Sequence, residues 1–200
     1  MIKKDIGIEK EKKVKHKFSI LYRSLLRRHL NTKNRKRLYP EARDISILSA
    51  NCIGGVIYHE LGLKMLSPTI NLYIKPCDFV KLASSPREYL SKEVFEIQQQ
   101  EFDFPVLGLG DILLFCNHAS TFIEAKEAWD RRKERFNYEK YVIMMSERDG
   151  CTYQDLKAFD NISHKYKVVF VHKNMPEISC AVHLPGTEII GGGWSIKLNL

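Results

Sequence analysis

Three features of the 200-residue chain predict an α/β fold built on a layered, mostly parallel sheet flanked by helices. Short apolar runs at 45–49, 112–116, 141–145 and 167–171 lack polar alternation, so they read as strands buried on both faces. Helical stretches separate them, the order that parallel crossovers require. Hydrophobic residues make up 44% of the chain, enough for one sizeable core and too many for disorder or a fibrous repeat.

The elements follow in chain order. Ile45–Ser49 is a strand leading into Asn51-Cys52-Ile53-Gly54-Gly55, and Val56–Leu61 is a helix stopped by Gly62, a natural C-cap. Thr69–Ile74 reads as a second strand. Pro76 suits the first turn of a helix reaching Ala83, and Ser85-Pro86 starts another short one. Pro105–Asp111 gives a strand and a glycine-bearing turn before the apolar run Ile112–Cys116. Thr121 with Glu124 forms a capping box for a helix over about 121–136. Strands at 141–145 and 167–171 flank a helix capped by Thr152. The tail carries two more strands, near 179–184 and 194–198, with room for an antiparallel C-terminal edge.

Charge divides the chain. Residues 1–44 hold fifteen Lys and Arg against five Asp and Glu, a net +10; residues 45–200 hold seventeen against nineteen, a net −2. The chain thus reads as a basic arm, 1–44, followed by a single α/β domain, 45–200. Within the arm, Phe18, Leu21, Tyr22, Leu25 and Leu26 recur at spacings of three and four, one apolar stripe of a basic amphipathic helix. Such a helix suits an anionic membrane surface, where apolar burial and attraction to lipid act together. Docking of the stripe on the domain is the competing expectation. Nucleic acid is not expected, because no recognition motif accompanies the charge.

Five cysteines, widely spaced and without a CxxC pair, argue against a disulfide framework or zinc knuckle and fit a reducing cytoplasm. No apolar run approaches the roughly 18 residues of a membrane span, and the N-terminus does not read as a secretion signal. The expected location is cytoplasmic, peripheral at the inner face of the plasma membrane. No GxGxxG, P-loop, GxSxG or DxD motif is present, which disfavours the common dinucleotide, NTP and α/β-hydrolase chemistries; no cofactor is indicated.

Ligands of open α/β sheets bind beyond the carboxyl ends of the strands. Four predicted strand ends carry chemistry there: Asn51-Cys52, Asn117-His118, Ser146-Glu147-Arg148-Asp149 and His172-Lys173. Gly54 and Gly55 allow a tight turn whose exposed amides at a helix start favour an anion. Cys52 is either a nucleophile or a small buried filler. His118 and Glu147 are candidates for proton transfer, with Asn51, Asn117, Arg148 and His172 as binding groups. Trp129, Arg132 and Arg135 form a cation cluster beside an indole, suited to an anionic or sugar substrate or else to a solvated helix face. No metal-ligand spacing accompanies these residues.

The run Ile47–Tyr58, with Leu61-Gly62-Leu63 and Ser67-Pro68-Thr69-Ile70-Asn71-Leu72, resembles a bacterial family of unknown function whose members are labelled exopolysaccharide or capsule biosynthesis proteins. Asp78–Lys81, Pro105-Val106, Gly110-Asp111-Ile112, the Trp129, Arg132, Arg135 helix and Glu147–Gly150 fall in the same order. Ala50 departs from the family pattern, which has a second polar residue there. The resemblance implies a part in cell-surface polysaccharide biosynthesis. It admits a membrane-associated acyl- or glycosyl-transferase acting on a sugar or lipid-linked sugar. The alternative is a non-catalytic accessory protein binding a glycan-assembly complex or anionic lipid carrier.

Overall fold

A computed structural model describes residues 28–38, 41–185, 187–190 and 193–196. The apolar stripe Phe18–Leu26 of the basic arm lies outside the described residues. The chain divides into two compact units, one formed by residues 1–43 with 59–63 and the other by 44–58 with 64–200. In the first, helix α1 covers 28–38 and presents the exposed side chains of Lys33, Arg35, Lys36 and Arg37. Asn31 Nδ2 donates to the Glu60 carboxylate. Gly62 adopts a left-handed φ of 61°, the conformation a helix-ending glycine provides without a Cβ penalty.

The larger unit is an α/β domain. Strands β1 (Ser46–Ser49), β5 (Tyr141–Ser146), β6 (Lys167–Val171) and β7 (Ala181–His183) form a sheet in the order β1-β5-β6-β7, every pair parallel. A second sheet, β2 (Phe95–Ile97), β3 (Val106–Leu109) and β4 (Ile112–Phe115), is antiparallel throughout. Strands β8 (Thr187–Ile190) and β9 (Gly193–Ile196) make a separate antiparallel hairpin. Helix α2 (Ile53–Leu61), through Tyr58, with α3 (Pro76–Ser84), α4 (Pro86–Ser91), α5 (Phe122–Lys133) and α6 (Tyr153–Asp160), completes it. The core joins Leu48, Ile143 and Val169 of the parallel sheet with Leu107 and Leu114 of the antiparallel one and with Phe79, Trp129 and Phe159 from the helices.

Local chemistry explains most boundaries. Thr152 Oγ1 accepts from the Asp155 N–H while the Asp155 carboxylate accepts from the Thr152 N–H, a complete capping box for α6. At α5, Thr121 Oγ1 caps Glu124, but the Glu124 carboxylate accepts from Ser120 N–H, one residue earlier than a standard box. Strand β1 is an edge strand, and its outward backbone groups are met by side chains rather than water. The Tyr58 hydroxyl takes the Ile47 N–H at 2.7 Å and donates to the Ile45 carbonyl, and Thr69 Oγ1 takes the Ser49 N–H at 3.0 Å. Satisfying a buried edge in this way closes it to further pairing.

Three expectations need correction. Residues 112–116 do not join the parallel sheet, because the two-residue turn Gly110-Asp111, with Gly110 at φ 62°, folds β4 back on β3. Segment 69–74 is a turn followed by a single bridge from Tyr73 to Phe115; Asn71, in the left-handed region at φ 59°, interrupts it. The sheet edge on the C-terminal side is the parallel strand β7, and the antiparallel pairing lies in the separate hairpin.

Candidate functional site

Because β1, β5, β6 and β7 run parallel, their carboxyl ends lie on one side of the sheet. A cleft of about 630 Å³ opens there, a size suited to a substrate or cofactor. Asn51 and Cys52 enter it from the end of β1, Ser146, Arg148 and Asp149 from β5, Phe170 from β6, and Leu184 and Thr187 from beyond β7. The end of β1 is fastened to its neighbour by a bond from Asn51 Nδ2 to Ser146 Oγ at 3.0 Å. Asn51 Oδ1 also accepts from the Ile53 N–H at 3.2 Å, so one side chain fixes both the strand end and the helix start.

Helix α2 begins at Ile53, and both glycines lie in its first turn rather than before it. They differ in purpose. A Cβ on Gly54 would stand 2.6 Å from Ser49 Oγ and 3.1 Å from Ile47 Cγ2, so this glycine lets the helix press against β1. A Cβ on Gly55 would meet only Ile70 Cγ2, at 3.6 Å. The first intrahelical bond from the turn runs from Val56 N–H to the Cys52 carbonyl. The amides of Gly54 and Gly55 precede it and keep no intrahelical acceptor.

The opposite wall is aromatic. Tyr73 and Phe115 exchange backbone hydrogen bonds at 2.8 and 2.9 Å, their rings 5.3 Å apart, and Phe104 stacks on Phe102, which meets Phe115 edge-on. The Tyr73 hydroxyl donates to the Asp149 carbonyl at 3.3 Å. Burial, reinforced by the nearby Asp149 charge, pushes its phenol up to about 12, so it is a neutral donor at physiological pH.

Arg148 supplies the cleft's positive charge. Among the described residues its side chain forms no ion pair and its buried Nε meets no hydrogen-bond acceptor. Such an orphaned guanidinium donor is costly unless a ligand satisfies it. Asp149, at φ 58°, and Gly150, at φ 81°, make a left-handed turn directly after it. The left-handed backbone of Asp149, a non-glycine residue, is local strain held in a cleft-lining loop.

Cys52 Sγ lies 3.7 Å from His118 Nε2, within hydrogen-bond reach for sulfur, although the two residues are 66 positions apart. Three further thiols are buried or half-buried. Burial pushes Cys116 up to about 11 and both Cys151 and Cys180 up to about 12, helped by Asp155 at Cys151 and by the hydrogen bond with Asp160 at Cys180. These three stay protonated and inert at neutral pH.

The structure therefore brings together Asn51, Cys52, Asn117 and Arg148 in the cleft lining, with His118 against Cys52. Gly54, Gly55, Glu147 and His172 stand apart from that lining. Glu147 Oε2 is 2.6 Å from His172 Nδ1, out of line for a ring N–H bond, and accepts the His172 backbone N–H at 3.2 Å. Trp129 is 1% exposed and serves the core, so its ring offers no open face to a substrate. Arg132 donates to the Ile70 carbonyl at 2.7 Å beside a small separate cavity of about 50 Å³, and Arg135 is exposed elsewhere on the surface. Tyr73, Phe104, Phe115 and Phe170 have no sequence signal as site residues; they reach the cleft only through the antiparallel sheet and the β6 end. Among the described residues no group of three or more His, Cys, Asp or Glu is placed to hold a metal, and no helix is long and apolar enough to cross a membrane.

A family model described as a domain of unknown function, DUF1919, matches residues 21–192. The chain belongs to the DUF1919 family. An uncharacterized protein of Haemophilus influenzae is 35% identical over 144 residues, spanning 72% of this chain and 69% of the relative. The DUF1919 match takes in β1 through β8, so it includes every strand end that frames the cleft.

Proposed function

We propose that this DUF1919 protein is a transferase of cell-surface polysaccharide biosynthesis acting on a phosphate-bearing sugar, free or lipid-linked. The observation that carries the reading is Arg148, whose buried Nε has no hydrogen-bond partner among the described residues, in a cleft also lined by Tyr73, Phe104, Phe115 and Phe170. A planar cation suits a phosphate, and aromatic walls suit a sugar ring or an isoprenoid chain. Asn51 and Asn117 add neutral polar groups of the kind that read hydroxyls. The resemblance to exopolysaccharide proteins supplies the biological setting.

On this reading the net +10 of residues 1–44 holds the protein against an anionic bilayer, where a lipid-linked substrate resides. Complementation tests the function. A strain lacking the protein loses surface polymer; the wild-type chain restores it, and Arg148→Ala, accumulated to the same level and melting normally, does not. Full restoration by Arg148→Ala, or normal polymer in the deletion strain, overturns the proposal.

A further inference from the structure

The geometry points to acyl transfer through a thioester on Cys52 as the reaction of this cleft, with His118 as the proton carrier. This inference rests on the transferase reading and narrows it from group transfer in general to transfer of an acyl group from an activated thioester to a sugar hydroxyl. Cys52 is the half-buried thiol that both lines the cleft and touches an imidazole, Sγ to Nε2 3.7 Å. It sits immediately before α2, beside the Gly54 and Gly55 amides that lack intrahelical acceptors.

Carbonyl carbon, rather than a sugar's anomeric carbon, fits this set of groups. Glycosyl transfer through a covalent intermediate ordinarily relies on a pair of carboxylates across the bond. Here Glu147 is turned to His172, leaving Asp149 as the acid in the lining. The apolar lining formed by Val56, Phe115 and Leu184 gives an acyl chain a place to lie.

The step balances as follows. Cys52 Sγ attacks the donor thioester carbonyl while its proton passes to His118 Nε2. The tetrahedral intermediate collapses, the donor's carbon–sulfur bond breaks, and His118 returns the proton to the departing thiolate. A sugar hydroxyl then attacks the Cys52 thioester, giving its proton to His118. The new ester carbon–oxygen bond forms, the bond to Cys52 breaks, and the thiolate regains its proton from His118.

The test incubates the purified full chain with a small thioester, S-acetyl-N-acetylcysteamine, and maps adducts by peptide mass spectrometry. Acetylation concentrated on Cys52 is expected. Cys52→Ala should abolish it, while His118→Ala should slow it by about a hundredfold or more, with rescue by added imidazole. Acetylation of exposed Cys77 at the same rate as Cys52, or a His118→Ala variant as fast as wild type, would overturn the inference. The two readings fail separately. If calorimetry finds Arg148-dependent binding of a sugar phosphate but Cys52 is never acylated, acyl transfer falls and the transferase site stands; acylation without sugar-phosphate binding gives the reverse.

Discussion

Replacing Gly54 and Gly55 singly by alanine should produce opposite changes in stability, although the residues are adjacent in the first turn of α2. Alanine in place of glycine favours a helix by up to about 1 kcal/mol at either position. At Gly55 nothing opposes that gain, since the new methyl would meet Ile70 Cγ2 at 3.6 Å, ordinary contact. At Gly54 the methyl would stand 2.6 Å from Ser49 Oγ and 3.2 Å from Ser49 Cβ, so either the helix shifts off β1 or Ser49 turns away. Turning Ser49 sacrifices its bond to the Asn51 carbonyl at 2.8 Å. Overpacking of this kind costs about 1–3 kcal/mol, outweighing the helix gain and leaving Gly54→Ala about 1–2 kcal/mol less stable. For a chain of this size that lowers the melting temperature by roughly 2–8 °C, while Gly55→Ala melts at or slightly above wild type. Thermal melts by circular dichroism and urea titration read both variants. Because α2 carries the Cys52 turn, Gly54→Ala should also slow Cys52 acetylation. Equal stability of the two alanine variants would refute the close approach of α2 to β1.

Other substitutions report on the supports around the cleft. Tyr58→Phe removes the hydroxyl that serves both Ile47 N–H and the Ile45 carbonyl, and should cost about 1–3 kcal/mol in urea unfolding. Thr152→Ala breaks the α6 capping box and should cost about 1 kcal/mol by the same measurement. Asp160 is pushed upward by burial, but bonds from Ser179 Oγ, Ser179 N–H and Cys180 N–H outweigh it and hold the carboxyl at about 2. Its contribution is therefore full above the unfolded value near 4 and fades as pH falls through about 2, so the stability gap between wild type and Asp160→Ala should close over that range in acid melts. Vesicle sedimentation should show anionic but not neutral liposomes retaining the chain, with retention lost on deleting residues 1–44.

Much of this site is written locally. Thr152 and Asp155 announce α6 because a cap needs only neighbours three residues apart, and the carboxyl-end rule finds Asn51, Cys52 and Arg148 once β1 and β5 are recognised. Pairings between distant segments are not written this way. An apolar run such as Ile112–Phe115 declares burial without saying in which sheet, and only the Gly110-Asp111 turn hints at the hairpin that removes it from the parallel layer. The aromatic wall follows from that placement, since Tyr73 reaches the cleft by bridging Phe115. The Cys52–His118 contact spans 66 positions and has no local signature. Trp129 shows the converse: surrounded by charge in sequence, it points to the core because Ala125 and Trp129, four apart, share the buried stripe of α5.

The central claim is that the cleft binds a phosphate-bearing sugar through Arg148, and titration calorimetry addresses it most directly. Nucleoside-diphosphate sugars and a short-chain prenyl phosphate are titrated into wild-type protein and into Arg148→Ala at matched ionic strength. A charge-assisted hydrogen bond contributes about 1.5–3 kcal/mol, so binding by wild type and a roughly ten- to hundredfold weaker Kd in Arg148→Ala are expected. No binding of any phosphate-bearing sugar by wild type, or equal affinity in the two proteins, would contradict the account.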